Sequence, residues 1–381
     1  LDFLKAFDTV PHNRLLYKLE QYGIKNDLNR WFESFLTGRR QRVVLGTVVS
    51  PWVNVTSGVP QGSVLGPIMF LLYINDLPAR ISNLFKLYAD DSKILAVVYD
   101  PEGPGGFQND LQNDLNNTTE WTKNWLVKLN GEKCKVVHFG AKETTQIQTY
   151  TIEDIDTRER SILEESKCEK DLGVHISNNL KWGVQVQGMI GKANKALGIL
   201  KRSFVSREST LWKTLYTSLV RPHLEYASTV WNSLLQREID GLEKIQRRAT
   251  RIPTDAYKLE YEERLKIWNL TSLEERRKRG DLIQMYKVIN GIEKINWHTG
   301  PTFAPDSQTR AAEENNKRLL RESYPAVNQN NFCHFTNVRH NFFLNRVTFE
   351  WNKLNNTQVN AISVNSFKAR IDNPGPRIRP P

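Results

Sequence analysis

The stretch Tyr88-Ala89-Asp90-Asp91 constrains this chain more than any other. It stands between two short apolar runs, Leu84-Phe85-Lys86-Leu87 and Ile94-Leu95-Ala96-Val97-Val98. Both runs are rich in β-formers and read as strands, so the two aspartates fall at or near the turn of a hairpin. Asp is a common turn residue, and turn chemistry alone accounts for most Asp-Asp pairs. A third carboxylate, Asp2, lies in Leu1-Asp2-Phe3-Leu4-Lys5-Ala6-Phe7-Asp8. If Asp2 lies beside Asp90, two charges ~4 Å apart repel by roughly 4 kcal/mol at an effective dielectric of about 20. A divalent cation reverses the sign of that term. Two such cations about 3.5–4 Å apart clamp an in-line phosphoryl displacement.

A chain of 381 residues is long enough for two or three domains. It opens on Leu1, and Asp2 leaves almost no strand ahead of it, so it reads as a fragment that starts inside an element. The longest apolar run, Val64 to Ile74, is too short to span a bilayer, and no membrane partner is expected. Cys134, Cys168 and Cys333 are scattered. They suggest neither a disulfide framework nor a zinc site, and they fit a reducing, intracellular compartment. The net charge of +11 is unevenly spread. Residues 1–150 are nearly balanced, whereas residues 181–290 hold 21 Lys/Arg against 12 Asp/Glu. A neutral first part and a basic helical part suit a catalytic core with a nucleic-acid grip, and equally a basic protein with solvated faces.

Pro11 and Gly23 frame an amphipathic helix with Leu15, Leu16, Leu19 and Tyr22 on its apolar face. A second helix starts near Asn26 or Asp27, carries Leu28, Trp31, Phe32, Phe35 and Leu36, and stops at Gly38. Arg39, Arg40 and Arg42 lead into a hairpin over Val43–Gly46 and Trp52–Thr56; they read as a phosphate grip or as a basic loop in water. Ser57-Gly58-Val59-Pro60-Gln61-Gly62-Ser63-Val64-Leu65-Gly66-Pro67 then precedes an apolar helix from about Pro67 to Leu77. Its glycines permit close backbone approach to a ligand or simply tight packing. The spacing is not that of a phosphate loop.

Leu1-Asp2-Phe3-x-Lys5-Ala6-Phe7-Asp8-Thr9-Val10-Pro11-His12, Ser57 to Pro67, and Tyr88-Ala89-Asp90-Asp91 resemble reverse-transcriptase motifs A, B and C, in order and at fitting intervals. The match is similar to non-LTR (LINE-type) retrotransposons of the jockey-like kind. It continues through Trp125 to Gly140, which resembles motif D with Lys133-Cys134-Lys135, and through Lys170-Asp171-Leu172-Gly173-Val174 and Leu219 to Ala227. Leu4 and Ser92 depart from the Ser and Thr often found there.

The resemblance implies an α+β fold: a polymerase palm, an antiparallel sheet with packed helices, over residues 1–176 with motifs A to D and the primer-grip region. A basic, all-helical thumb over 177–295 would follow. In the family, fingers precede motif A and an endonuclease often precedes those; the chain as read lacks both. It implies that Asp2 and Asp90 bind metal with Asp91 as a third, weaker acid. The cofactor would be two Mg²⁺ ions, or Mn²⁺. Phe3, Phe7, Gln61 and Gly62 would meet template and incoming nucleotide, with the Phe7 ring beneath the sugar. Outside the motif Phe7 reads as a core residue. Lys133 matches a proton donor to pyrophosphate, and otherwise reads as a solvated lysine. The implied partners are an RNA template, a DNA primer or target, and deoxynucleoside triphosphates, in a nuclear or cytoplasmic ribonucleoprotein.

Further on, Phe107, Leu111, Leu115, Trp121 and Trp125 space as one helix face after a Pro/Gly-rich turn at 100–106. Residues 141–170 read as a hairpin or linker. Leu211 to Leu219 makes a helix ended by Pro222. From about Gln236, Ile239, Leu242, Ile245 and Ala249 oppose Lys244, Arg247, Arg248 and Arg251. That stripe reads as a grip on duplex phosphates or as a solvated face. Ser272-x-x-Glu275 is a capping box opening a helix to Asn290, stopped by Gly291. Residues 296–334 lack periodicity and read as a linker in which Cys333-His334 has no zinc partners. Residues 335–381 read as a helical extension with a disordered tail from Asn373. The function implied is RNA-directed DNA synthesis onto a primer 3′-hydroxyl. The rivals are an inactive nucleic-acid-binding remnant of such an element and a two-metal nuclease, the latter disfavoured by the Gln61 segment between the carboxylates.

Overall fold

The computed structural model describes residues 1–97, 111–139, 149–232, 235–297, 300–305, 315–322 and 342–373. The chain divides into two compact units, Leu1–Lys167 and Cys168–Pro381. Both mix helices with short two-stranded sheets.

In the first unit, helices His12–Gln21, Asn26–Leu36, Leu65–Ile74 and Leu111–Trp125 surround a core that includes Leu15, Leu19, Phe70, Tyr73 and Trp121. Pro11 caps the first helix, and Gly23, at φ +88°, follows its end. Leu15 and Leu19 are buried as the spacing predicts, but Tyr22 is exposed. Lys18 takes a buried place instead. Its ammonium contacts the Tyr73 carbonyl and Asp76 Oδ1, and stands 3.7 Å from the Trp125 ring centroid, with Tyr73 and Trp121 at 4.7 and 4.8 Å. Burial lowers its pKa to about 8. Residues 40–54 form a hairpin, but it turns at Gly46-Thr47 and its return arm begins at Val48 rather than Trp52; Val43, Leu45 and Val48 are strongly exposed on it. Arg40 and Arg42 lie over its Trp52 ring.

The strands Leu84–Tyr88 and Asp91–Leu95 pair antiparallel, with Tyr88 opposite Asp91. Ala89 and Asp90 are therefore the turn, as the sequence predicts. Asp114, fully buried on Leu111–Trp125, anchors the approach to the first strand. Its carboxylate accepts from the backbone N–H groups of Ser82 and Asn83 and from Asn83 Nδ2 at 2.8–3.0 Å. The Pro/Gly-rich turn at 100–106 and Phe107 lie outside the described residues, as do residues 141–148. The rest of the 141–170 region carries a hairpin pairing Thr151–Glu153 with Arg160–Ile162.

The second unit opens with a hairpin, Cys168–Asp171 paired with Val174–Ser177. Leu172 and Gly173 both have positive φ, 43° and 87°, as the two-residue turn of a twisted hairpin requires. A Cβ at Gly173 would stand 3.1 Å from the Tyr226 ring, and Tyr226 Oη donates to the Leu172 carbonyl at 2.8 Å. Two segments far apart in the chain thus meet through a glycine and a tyrosine.

Helices Gly183–Ser203, Ser209–Leu215, Gln236–Thr250 and Tyr261–Trp268 enclose a core with Leu197, Trp212, Tyr216, Trp231, Leu242 and Trp268. Pro222 does not end the Leu211 helix. That helix gives way to a π turn, Tyr216–Val220, and Pro222 sits in the first turn of a new helix, Arg221–Glu225. A missing N–H is tolerated there. The Ser272–Glu275 capping box is formed on both sides, and its helix runs Leu273–Ile289 with Gly291 at φ +66° beyond it.

Leu273 belongs to this core, but Met285 and Tyr286 of the same helix belong to another, shared with Leu319, Phe343, Val347, Trp351 and Phe367. Helices Phe343–Trp351, Asn356–Val359 and Val364–Asp372 make up the extension. The expected linker is corrected here. Thr302–Phe303 pairs with Leu319–Leu320, and buried Asn315 donates to the Trp351 carbonyl at 3.0 Å. Side-chain amides and the buried Leu319, rather than an apolar stripe, tie this segment in, so no periodicity announces it. A buried pair, Arg346 Nε to Asp281 Oδ2 at 2.9 Å, joins the extension to the long helix. Cys333-His334 and the tail from residue 374 lie outside the described residues. Among those described, no helix is long and apolar enough to cross a membrane.

Candidate active site

Leu1 and Ser92 exchange backbone hydrogen bonds. The Leu1 amine donates to the Ser92 carbonyl at 2.8 Å, and the Ser92 N–H returns one at 3.4 Å. Reciprocal bonds of this kind mark an antiparallel pair. Carried one residue on, the register brings Asp2 level with Asp91. The first residues are also held from the other side. Phe3 bridges to Leu129, the Leu4 N–H donates to the Lys128 carbonyl, and the Asn130 N–H donates to the Asp2 carbonyl, both at 2.8 Å. Asp2 is thereby brought beside the Asp90-Asp91 hairpin, although 88 positions separate Asp2 from Asp90.

Left-handed residues flank both ends of this junction. Ala89 has φ +54° immediately before Asp90, and Lys5 has φ +46° three residues after Asp2. Such backbone costs about 1–2 kcal/mol per non-glycine residue and gathers at functional sites. Asp2 and Asp90 are half-buried and Asp91 is exposed. Lys133 Nζ stands 3.7 Å from Asp2 Oδ2. Among the described residues, no three His, Cys, Asp or Glu side chains are gathered closely enough to hold a metal ion.

The glycine-rich turn lies along residues 7–11. The Gly58 N–H donates to the Val10 carbonyl and the Val59 N–H to the Phe7 carbonyl, both at 2.8 Å. Gly58 has φ +89°, and a Cβ there would be 2.7 Å from the Asp8 carbonyl oxygen. At Gly66 a Cβ would be 2.4 Å from the Pro60 carbonyl oxygen. These two glycines are packing necessities. Gly62, at φ +79°, has open space around it, and Gln61 is exposed with Nε2 donating to Asp8 Oδ1 at 2.8 Å. Gln61 and Gly62 are thus exposed, with Gln61 tied to Asp8.

Phe7 is half-buried and stacks on Phe70, with ring centroids 4.4 Å apart. Phe3 has its ring in the core at 2% exposure, so packing and not ligand contact occupies that side chain. The contact that Cys134 makes with Asp2 is not announced by the sequence. Cys134 is fully buried, with Sγ accepting from the Asp2 N–H at 3.4 Å, and burial raises its thiol pKa. No local pattern links residues 132 positions apart, so only the fold reveals this contact.

In the second unit, Lys244, Arg247, Arg248 and Arg251 are exposed, on and just beyond the helix Gln236–Thr250, while Ile239, Leu242, Ile245 and Ala249 are buried. Arg248 Nη1 donates to Asn194 Oδ1 at 2.7 Å, and Arg247 lies over the Tyr261 ring. Lys192 and Lys195, also exposed, flank Asn194.

Two carboxylate segments are thus joined through a backbone pair, beside a turn built on close-packed glycines. Residues 1–176 match the family described as reverse transcriptase (RNA-dependent DNA polymerase). The chain is similar to polymerases of non-LTR transposable elements. It is 28% identical over 270 residues to the probable RNA-directed DNA polymerase from transposon X-element of Drosophila melanogaster, covering 67% of this chain and 28% of that protein. It is 33% identical over 147 residues to the RNA-directed DNA polymerase from mobile element jockey of the same fly, covering 36% and 16%. The jockey polymerase of Drosophila funebris is 28% identical over 268 residues, covering 66% and 27%. The chain therefore spans little more than a quarter of the length of the first of these relatives.

Proposed function

We propose that this chain carries the catalytic centre of an RNA-directed DNA polymerase that extends a DNA primer on an RNA template. The observation that supports this reading is the Leu1–Ser92 backbone pair, which ties the segment holding Asp2 to the strand that follows the Asp90-Asp91 turn. In this reading the first unit holds a palm, and the basic helices of the second act as a thumb.

Asp2, Asp90 and Asp91 would hold divalent cations. Hard carboxylate oxygens suit Mg²⁺, which in polymerase sites is held by one or two carboxylates, waters and substrate phosphates rather than by a closed protein cage. The donor chemistry thus fits without three converging side chains. When bound, the ions supply charge stabilisation for in-line displacement at phosphorus. A primer 3′-oxygen would bond to the α-phosphorus as the bond to pyrophosphate breaks, and the hydroxyl proton would pass to solvent water. Lys133 would give a proton to the departing pyrophosphate. Gln61 and Gly62 would meet the template base and incoming nucleotide, and Phe7 the sugar. Lys244, Arg247, Arg248 and Arg251 would hold duplex phosphates.

The test is primer extension on an RNA template with deoxynucleotides and Mg²⁺. It is run on this chain and on the longest reading frame that contains it. Asp90→Asn is expected to abolish extension while hybrid binding changes little. Extension undiminished by Asp90→Asn overturns the catalytic assignment. Hybrid binding with no extension in either protein favours an inactive remnant.

A further inference from the structure

The turn Asn130–Cys134 grips Asp2 at three points. The Asn130 N–H donates to the Asp2 carbonyl at 2.8 Å. The chain then folds back, with the Lys133 and Cys134 N–H groups both donating to the Asn130 carbonyl at 3.1 and 3.0 Å. This returns the buried Cys134 Sγ to the Asp2 N–H at 3.4 Å. Both backbone polar groups of Asp2 are therefore fixed by one turn. Lys133, at its outer corner, faces the Asp2 carboxylate at 3.7 Å.

We propose that Lys133 is the stand-in counter-ion of Asp2, seated there by the turn and displaced when a divalent cation binds. This rests on the reading of Asp2 as a metal ligand. Three observations support it. Among the described residues, Asp2 is the one member of the carboxylate trio with an ammonium beside it. The contact is loose for an ion pair, and the two side chains are 65% and 38% exposed. Exposed pairs of this kind are weak and therefore easily exchanged. A metal ion with twice the charge competes for the same oxygens, and in winning them it frees the Lys133 ammonium beside the site where phosphates arrive. Release of the lysine is then coupled to occupation by metal, and the coupling is reciprocal.

The turn makes this exchange possible without disturbing the alignment. Asp2 keeps its backbone bonds to Asn130 and Cys134 whichever cation holds its carboxylate. Only the side chain of Lys133 has to move.

Mn²⁺ is the probe, titrated into the full chain and followed by its electron paramagnetic resonance signal. Lys133→Met removes the competitor and is expected to tighten Mn²⁺ binding about five-fold, the ratio that ~1 kcal/mol corresponds to. Lys133→Arg should leave the affinity near the parent value. Asp2→Asn should weaken binding, and in that background Lys133→Met should do little. Both side chains are exposed enough for the variants to fold, and an unchanged Tm confirms it. If Asp2→Asn weakens Mn²⁺ while Lys133→Met leaves it unchanged, the counter-ion role fails and the metal reading stands. If Lys133→Met tightens binding equally with and without Asp2, the lysine acts as a general surface charge and the proposal fails. If Asp2→Asn has no effect on Mn²⁺, the metal reading fails and takes this inference with it.

Discussion

Gln61 Nε2 donates to Asp8 Oδ1 across 2.8 Å, linking the glycine-rich turn to the segment that follows Asp2. Gln61 and Asp8 are both exposed, so the bond contributes little to folding. Gln61→Ala should cost no more than about 0.5–1.5 kcal/mol in urea denaturation. Its effect on nucleotide incorporation should be far larger, with KM for the deoxynucleotide raised at least ten-fold. Equal, small changes in both measurements would leave Gln61 a surface residue.

The Phe7 ring rests on Phe70 and is only half-buried. Phe7→Ala should therefore cost less than the ~3–5 kcal/mol of a fully buried phenylalanine. A ring beneath the sugar excludes a 2′-hydroxyl by steric clash. The variant should then narrow the kcat/KM ratio of deoxynucleotide to ribonucleotide. A lower Tm with an unchanged ratio would assign Phe7 to packing alone.

Lys18 makes stability depend on pH. Its pKa falls from 10.5 to about 8 on folding because burial disfavours the charged form. Between those values the unfolded chain holds more protons than the folded one, so stability rises with pH. The contribution is about 3 kcal/mol, absent below pH 8 and fully gained above pH 10.5. The groups facing Lys18 are Asp76 and the rings of Tyr73, Trp121 and Trp125. Urea midpoints measured from pH 7 to 10.5 should climb more steeply for the parent chain than for Lys18→Met. Parallel curves would show that the lysine does not titrate in this window.

The exposed stripe on Gln236–Thr250 predicts a salt effect. Lys244, Arg248 and Arg251 should each neutralise one phosphate, and removing any one of these charges should flatten the log–log salt slope of duplex binding by about 0.9 on B-DNA. Alanine at all three positions should weaken binding without sequence preference. Tm should change little, because the side chains face water. An unaltered slope would mean a solvated face.

Local chemistry made much of this chain legible. The Asp-Asp hairpin, the Ser272–Glu275 box and the buried stripe of Gln236–Thr250 all follow from patterns within a few turns of chain. Contacts between distant residues were not legible. Lys18 was invisible because lysine is seldom buried, and its aromatic surroundings come from helices 55 or more positions away. The Cys134–Asp2 contact and the Gly173–Tyr226 approach are long-range for the same reason. The segment around Asn315 looked like a linker because its amide bonds leave no hydrophobic period. Among the proposed site residues, the backbone pairing that brings Asp2 to Asp91 is geometric and could not be read from composition.

The helix Leu273–Ile289 is set in two cores, through Leu273 at one end and Met285 and Tyr286 at the other. At about 1.5 Å per residue it is a rod of roughly 25 Å. A rod shared in this way behaves as a girder. Loosening either core bares a face of the same helix and removes support from the other. The second unit should therefore melt as a single cooperative block, with a denaturant sensitivity set by the surface of both cores together.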